Sequence, residues 1–223
     1  MKHPHIIERL RFLFLFLVLV GYLLLNASQL SIANLQVAHY VFVILLLYSF
    51  WVISHEKRVI WLSIGFLGLI EISLLPGLSI YPTMTLKFFR DIVTTCLFAL
   101  LFVSCVNFTL KDEKVNVTTL FGSLSAYLFL GLCWAYLFQA LMYGNPDSFN
   151  GLPTDINDWD NDFIYYSFVT LTTVGYGDVV PNSPMAKTLS WMAACSGQAF
   201  LTILMAILVA KFVQFRFNNK EEN

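Results

Sequence analysis

The sequence predicts an all-α membrane protein with six transmembrane helices. Its 223 residues are 58% hydrophobic and only 12% charged, and the mean hydropathy is +0.71, which lies well outside the range of soluble globular domains. Apolar runs close to the length that crosses a hydrocarbon core recur along the chain, and a shorter apolar run lies between the last two. We therefore expect an integral protein of the plasma membrane, the inner membrane of the cell, in contact with membrane lipids.

Five apolar runs are long enough to cross the membrane as helices, and they cover residues 37–53, 59–75, 88–108, 117–142 and 186–215. A sixth run, residues 12–25, is shorter and follows a basic start that contains Lys2, Arg9 and Arg11. Such a run also fits the apolar centre of a secretory signal peptide. We interpret it as the first of six spans.

The basic residues favour one side of this arrangement. With the amino terminus inside, ten of the 13 lysines and arginines lie at the cytoplasmic side and three at the outer side. Cytoplasmic loops collect basic residues, so both termini are predicted to be cytoplasmic. The segment 143–162 then faces outward and carries five aspartates and no basic residue. This acidity fits either the outer vestibule of a cation pathway or an ordinary soluble loop.

A short apolar stretch between the last two spans, residues 163–172, is about ten residues long and cannot cross a bilayer. It runs directly into the sequence Thr-Val-Gly-Tyr-Gly-Asp at residues 173–178. A helix that enters the membrane and returns as irregular backbone is tolerated only where that backbone is buried in protein or lines a water-filled path. Gly175 and Gly177 can adopt backbone angles that other residues avoid, so successive carbonyl groups can point to one side. The pattern therefore predicts a re-entrant helix followed by a carbonyl-lined strand.

Residues 172–178 and the flanking helices resemble the potassium-channel signature of the pore-loop cation channel superfamily. The resemblance is specific over residues 117–215, and for the first four spans it is only architectural. It implies a potassium-selective channel with a re-entrant pore helix and a selectivity filter between helices five and six, with K⁺ as the permeant ion and no organic cofactor. The implied ion-coordinating filter is Thr173, Val174, Gly175, Tyr176 and Gly177, with K⁺ at the first four of these residues.

The same resemblance assigns supporting roles around the filter. Asp178 takes the place of the acidic residue that anchors the outer mouth, and Thr172 directly precedes the filter. Tyr165 and Tyr166 take the place of an aromatic pair in the pore helix. We expect a hydrogen bond between Tyr165 and Asp178.

The last span contains the candidates for gating. Gly197 lies where the family often has a hinge glycine, although a glycine in a membrane helix also simply allows close packing, and both interpretations stay open. Beyond it, Leu201, Met205 and Val209 recur at four-residue spacing and share one helix face. They form either an apolar inner gate that closes by dewetting or a stripe that packs against the fifth span.

The fourth span carries Lys87 and Arg90 at three-residue spacing, but Val93 and Cys96 occupy the positions at which a ladder of basic residues would continue. Arg90 either pairs with Glu71 of the third span or reaches the nearby interface alone. Steep voltage gating takes about 3 to 4 charges per subunit, so we expect weak voltage dependence at most.

The chain is predicted to divide into a four-helix domain resembling a degenerate voltage sensor (residues 1–114), a pore domain (115–217) and a short cytoplasmic tail (218–223). Each chain brings one filter strand, so a homotetramer is expected. Whether an unidentified regulatory subunit is a further partner is left open by the sequence. The intact motif favours K⁺ selectivity over a less selective cation channel of the same architecture. We expect no nucleic-acid partner, and no enzymatic activity because the acidic cluster from Asp155 to Asp162 has no His, Cys or Ser partner arranged for catalysis.

Overall fold

The computed structural model describes residues 6–28, 31–32, 35–36, 83–111, 116–153 and 159–221. The predicted second and third spans, residues 37–53 and 59–75, lie outside these ranges, as does Glu71. In chain order the elements are α1 (Ile6–Ser28), β1 (Ser31–Ile32), β2 (Leu35–Gln36), α2 (Thr83–Lys111), α3 (Val117–Gly144), β3 (Phe149–Asn150), α4 (Trp159–Leu171), β4 (Val180–Pro181) and α5 (Pro184–Glu221). Two antiparallel pairs, β1 with β2 and β3 with β4, contain all the strands of these ranges.

Three of the described helices are long and apolar enough to cross a membrane: Met84–Lys111, Val117–Gly144 and Pro184–Lys211. The first two contain the predicted fourth and fifth spans, and the third covers the predicted sixth span up to Lys211. Helix α1 holds a shorter apolar stretch, Phe12–Ser28. Helix α4 has 13 residues and is therefore about 20 Å long at a rise of 1.5 Å per residue, too short to cross a hydrocarbon core. The chain is thus a mostly helical membrane protein, and the count of six spans stays a prediction.

The chain divides into two compact units. The first comprises Met1–His55, Leu101–Leu128 and Ala199–Asn223, and the second comprises Glu56–Leu100 and Phe129–Gln198. In the first unit, the ring of Phe12 in α1 stacks on Phe108 of α2 with ring centroids 4.3 Å apart, and Leu15 and Leu19 of α1 are fully buried. Because leucine and phenylalanine recur on one face of α1, burial of that face anchors the helix.

Two caps fix the helix ends of the first unit. The Lys211 side chain donates from Nζ to the carbonyl oxygens of Thr109 and Leu110, each at 3.1 Å. Carbonyls in the last turn of a helix have no partner within the helix, so this lysine of α5 satisfies two groups at the end of α2. At the start of α3, the side-chain oxygen of Asn116 accepts the backbone N–H of Thr119 at 2.9 Å, a regular amino-terminal cap.

The second unit has an aromatic core. Phe149 of β3 is 3% exposed and lies edge-on to three rings, those of Phe138, Phe163 and Tyr166, at centroid distances of 5.7, 5.2 and 5.3 Å. Edge-to-face pairs of this kind contribute about 0.5–1.5 kcal/mol each beyond the burial of their surface. Since Phe138 belongs to α3 and the other two rings to α4, this cluster fixes the short helix against both α3 and β3.

Candidate functional site

The backbone after α4 turns its amides towards that helix. The N–H groups of Thr173 and Val174 donate to the carbonyl oxygens of Thr170 and Val169, both at 3.0 Å, and the N–H of Gly175 donates to Val169 at 3.4 Å. In a trans peptide the carbonyl points opposite to the N–H of the following residue. The carbonyls of residues 172–174 therefore point away from the helix.

Alternate residues of this strand adopt left-handed backbone angles. The φ values are 60° at Thr173, 59° at Gly175 and 79° at Gly177. Glycine adopts these angles freely, whereas a β-branched residue such as threonine does so only under strain of order 1–3 kcal/mol. The sequence pattern signalled the two glycines, but nothing in it signalled the positive φ of Thr173.

In the isolated chain, the side chains of Val174 and Tyr176 in this strand are exposed. The exposed fraction is 53% for Val174 and 71% for Tyr176. The ring of Tyr176 lies parallel to that of Tyr165 in α4, with an interplanar angle of 2° and centroids 6.4 Å apart. A Cβ atom added at Gly175 or Gly177 would meet no atom within 4 Å in the chain. The strand is thus held by its helix on one side and is uncovered on the other.

Asp178 directly follows the strand and is held by two hydrogen bonds. The hydroxyl of Tyr165 donates to Asp178 Oδ2 at 2.6 Å, which is the hydrogen bond expected from the sequence, and the N–H of Val179 donates to Oδ1 at 3.0 Å. The hydrogen bond from Tyr165 lowers the pKa of Asp178 below its usual range. The same bond raises the pKa of Tyr165 to about 12. Both shifts keep the pair in its bonded form, with a neutral phenol and an ionised carboxylate.

Comparison with known proteins identifies the region that carries this site. Residues 124–214 match a family model described as "Ion channel". Two-pore potassium channel 4 of Arabidopsis thaliana is 33% identical over 119 residues, which are 48% of this chain and 38% of that protein. Over this region the chain is similar to ion channels, and the relatives that it matches are named as potassium channels.

Other relatives match the same kind of protein over shorter segments. Potassium voltage-gated channel protein shk-1 of Caenorhabditis elegans is 38% identical over 84 residues, which are 35% of this chain and 14% of that protein. Two pore potassium channel c of Oryza sativa subsp. japonica is 36% identical over 89 residues, which are 39% of this chain and 19% of that protein. The chain thus spans well under half the length of these relatives, and their names describe channels, not enzymes. No solved structure matches it significantly.

Two side-chain hydrogen bonds fasten helix α4 to its neighbours, one lies at its carboxyl end and one joins the flanking helices, and none of these pairings was predicted from the sequence. Tyr166, assigned as filter support, shares a 2.7 Å bond between its hydroxyl and that of Ser190 in α5. Ser167 donates to the carbonyl of Gly131 in α3 at 2.6 Å. Thr172 turns its hydroxyl back to the carbonyl of Phe168 at 2.7 Å. Between the flanking helices, the indole of Trp134 donates to the Ser196 hydroxyl at 2.9 Å.

Helix α5 runs through the hinge candidate without a break. A Cβ atom at Gly197 would overlap the carbonyl oxygen of Leu171 and lie 2.8 Å from the Cγ atom of that residue. Leu171 is the last residue of α4, so at Gly197 helix α5 contacts the point where the chain leaves α4 for residues 173–177. This contact favours the packing interpretation of Gly197 over the hinge interpretation.

The predicted gate residues share an uncovered face of α5. The exposed fraction in the single chain is 38% for Leu201, 58% for Met205 and 55% for Val209. Their side chains are therefore available to line a path or to contact other molecules. The choice between gate and packing stripe stays open.

The two basic residues near the start of α2, Lys87 and Arg90, interact within the second unit. Arg90 binds Asp91 Oδ1 through Nε and Nη2, each at 2.8 Å, and Asp91 is fully buried. Lys87 places its Nζ 5.6 Å from the centre of the Tyr143 ring, in the geometry of a cation–π contact. Glu71, a candidate partner of Arg90 from the sequence, lies outside the described residues, and among the described residues Arg90 pairs with the adjacent Asp91.

We predict that ion selectivity is constant between about pH 5 and pH 9 on the outer side. Because the pKa of Asp178 is lowered, its carboxylate is ionised and accepts the Tyr165 hydrogen bond throughout and above the usual carboxyl range. This stabilisation is lost only as the pH falls through the lowered pKa. Because the pKa of Tyr165 is raised, its hydrogen bond is present below pH 10.0 and is lost as the pH rises through about 12. Reversal potentials in mixed K⁺ and Na⁺ solutions, recorded at each outer pH, measure the ion selectivity.

Tyr165→Phe is the matched control for the pH experiment, since it removes the donor and keeps the ring. The variant should lose selectivity at every pH in the range. A selectivity change with a midpoint near pH 6 or 7 in the unaltered protein would contradict the assigned pair.

Proposed function

We propose that this chain forms a potassium-selective channel that conducts K⁺ passively through a homotetrameric pore. The filter in this proposal is Thr173, Val174, Gly175, Tyr176 and Gly177. The observation that carries it is the direction of the amides in residues 173–175, which bond to the pore helix and leave the preceding carbonyls free to coordinate a dehydrated ion. The potassium-channel names of the relatives support the same ion.

Fourfold assembly follows from the chemistry of coordination. One strand supplies one carbonyl at each level, whereas replacing the hydration shell of K⁺ takes a ring of carbonyls around an axis. The large exposed fractions of Val174 and Tyr176 support this, because neighbouring chains would cover side chains that a single chain leaves open. In the assembly, Leu201, Met205 and Val209 are the proposed inner gate.

The proposed orientation places both chain ends in the cytoplasm of a cell whose plasma membrane holds the channel. The hydrogen bonds from Lys211 of α5 to Thr109 and Leu110 place the carboxyl end of α2 beside Lys211. Lys111 and Lys211 therefore lie on the same side of the membrane, as the tendency of basic residues to stay cytoplasmic requires.

The test is ion flux into liposomes that hold the purified protein. With a K⁺ gradient we expect uptake that Ba²⁺ blocks and that nearly disappears when Na⁺ replaces K⁺. Equal uptake of Na⁺ would instead assign the chain to the less selective cation channels of this architecture, and no uptake of either ion would contradict a channel. Cross-linking in mild detergent should proceed to tetramers, and a limit at dimers would exclude fourfold assembly.

We predict that the K⁺ conductance depends only weakly on voltage. Moving one elementary charge across the membrane gains about 2.3 kcal/mol per 100 mV, and a steep sensor moves about 3 to 4 charges per subunit. Arg90 is neutralised by Asp91 in the adjacent position, so a displacement of the outer part of α2 carries the net charge of Lys87 alone. Macroscopic K⁺ currents should give fewer than about four effective gating charges per tetramer.

Lys87→Gln is the variant that tests this assignment of charge. It removes the remaining net charge and should leave the slope of the conductance–voltage curve unchanged within error. A steep curve that Lys87→Gln flattens would show that α2 acts as a voltage sensor.

A further inference from the structure

The segment between α3 and α4 pairs with the chain that leaves the filter. In β3 and β4, Phe149 lies opposite Pro181 and Asn150 lies opposite Val180. Just before β3, the carbonyl of Ser148 accepts the N–H groups of Asn182 at 2.7 Å and Ser183 at 3.3 Å. We call residues 147–151 the outer brace. Its backbone contacts continue along residues 178–183, the stretch that follows the filter directly.

Side chains reinforce both ends of the outer brace. The amide of Asn182 donates from Nδ2 to the carbonyl of Asp147 at 3.0 Å. Phe149 is 3% exposed and packs on Phe163 and Tyr166 of the pore helix. The outer brace is therefore attached to the pore helix through an aromatic side chain and to the filter exit through its backbone.

The closest approach is at Gly151, where φ is 89°. A Cβ atom there would overlap the carbonyl oxygen of Asp178 and would lie 3.0 Å from its carbonyl carbon and 3.3 Å from the Cα atom of Val179. These are backbone atoms, so they cannot rotate aside as a flexible side chain does. Glycine at position 151 is required both by the backbone angle and by the contact with Asp178.

We propose that the outer brace positions the outer end of the filter, with Gly151 as the positioning residue that sets where the Asp178 backbone lies. The proposal rests on the proposed function, since it assigns a role in ion selection to residues outside the filter. Asp178 follows Gly177 directly, so a displaced Asp178 changes the spacing of the last carbonyl ring. Selectivity among K⁺, Rb⁺ and Na⁺ depends on the number and geometry of these carbonyls.

The experiment compares Gly151→Ala, Asn182→Ala and Gly21→Ala in the full chain, with Rb⁺, K⁺ and Na⁺ uptake into liposomes as the readout. Gly151→Ala should change the Rb⁺ to K⁺ uptake ratio or lower the K⁺ over Na⁺ preference by about tenfold, the scale of an overfilled packing contact. Asn182→Ala removes one hydrogen bond without adding bulk and should shift the same ratios less. Gly21→Ala is the control, because a Cβ atom there meets nothing within 4 Å.

Cross-linking of each variant shows whether assembly is retained. Altered ratios in assembled Gly151→Ala or Asn182→Ala support the proposal, because a merely structural role would lower the yield without changing the ion preference. If Gly151→Ala does not fold, the result from Asn182→Ala decides. If the starting protein selects K⁺ and the folded variants give the same uptake ratios, the role of the outer brace is wrong and the proposed function stands. If the starting protein itself does not select K⁺, the proposed function is wrong as well.

Discussion

Gly177→Ala, and equally Gly175→Ala, should abolish the preference for K⁺ over Na⁺ while the protein still assembles. The φ angles of 79° and 59° at these residues lie in the left-handed region, which costs an L-residue with a side chain about 1–2 kcal/mol. In a tetramer the cost recurs in each chain around one axis. Relaxing it rotates the adjoining peptides and turns carbonyls away from the axis. Because about 1.4 kcal/mol corresponds to a factor of ten, the preference should fall by at least that factor.

The free space around these two glycines separates an effect of the backbone angle from an effect of steric overlap. A Cβ atom at either position meets nothing within 4 Å in the single chain, so the expected effect comes from the backbone angle and not from a clash inside the subunit. Reversal potentials under K⁺ and Na⁺ gradients give the preference, and cross-linking gives the assembly. A preference within a factor of about two of the unaltered protein in both variants would refute the assigned filter.

Gly197→Ala should destabilise the protein by about 1–3 kcal/mol per chain, the usual cost of overfilling a packed site. The added methyl group would overlap the backbone carbonyl of Leu171, so either α5 or the end of the pore helix must move. The midpoint of thermal unfolding in detergent should fall, and single-channel conductance should fall with it because Leu171 leads directly into the filter loop.

Gly21→Ala in α1 is the matched comparison, since it makes the same change within a helix where there is space for a methyl group. Replacing glycine by alanine inside a helix is favourable by about 0.5–1 kcal/mol, so the midpoint for this variant should rise or stay constant. If Gly197→Ala behaved like Gly21→Ala in stability and only reduced the open probability, the hinge interpretation would be correct and the packing interpretation wrong.

The sequence predicted the parts of the fold that depend on local patterns. Because the length of an apolar run decides whether a helix can cross a membrane, the runs in α2, α3 and α5 were identified in advance, and the short run before Thr173 forms the short helix α4. The glycines at 175 and 177 were recognisable because few residues adopt positive φ. The hydrogen bond from Tyr165 to Asp178 was expected only through the family resemblance.

Other features depend on residues far apart in sequence and left no local signal. Strands β3 and β4 have two residues each, too few for an alternating pattern, and they pair across about 30 residues of sequence. The contact of Gly151 with Asp178 arises in the same way. Gly197 was recognised as unusual, yet only its distance to Leu171 distinguishes a packing contact from a hinge.

The hydrogen bonds from Lys211 to the end of α2 limit how far helix α5 can move relative to α2. Thr109 and Leu110 offer carbonyl oxygens that are fixed in a helical turn, while Lys211 reaches them through four rotatable carbon–carbon bonds. Small rotations of α5 can be absorbed by the lysine chain, whereas a displacement beyond its reach breaks both hydrogen bonds together and leaves two carbonyls without partners. The two hydrogen bonds therefore survive small displacements of α5 and oppose only those larger than the reach of the lysine side chain.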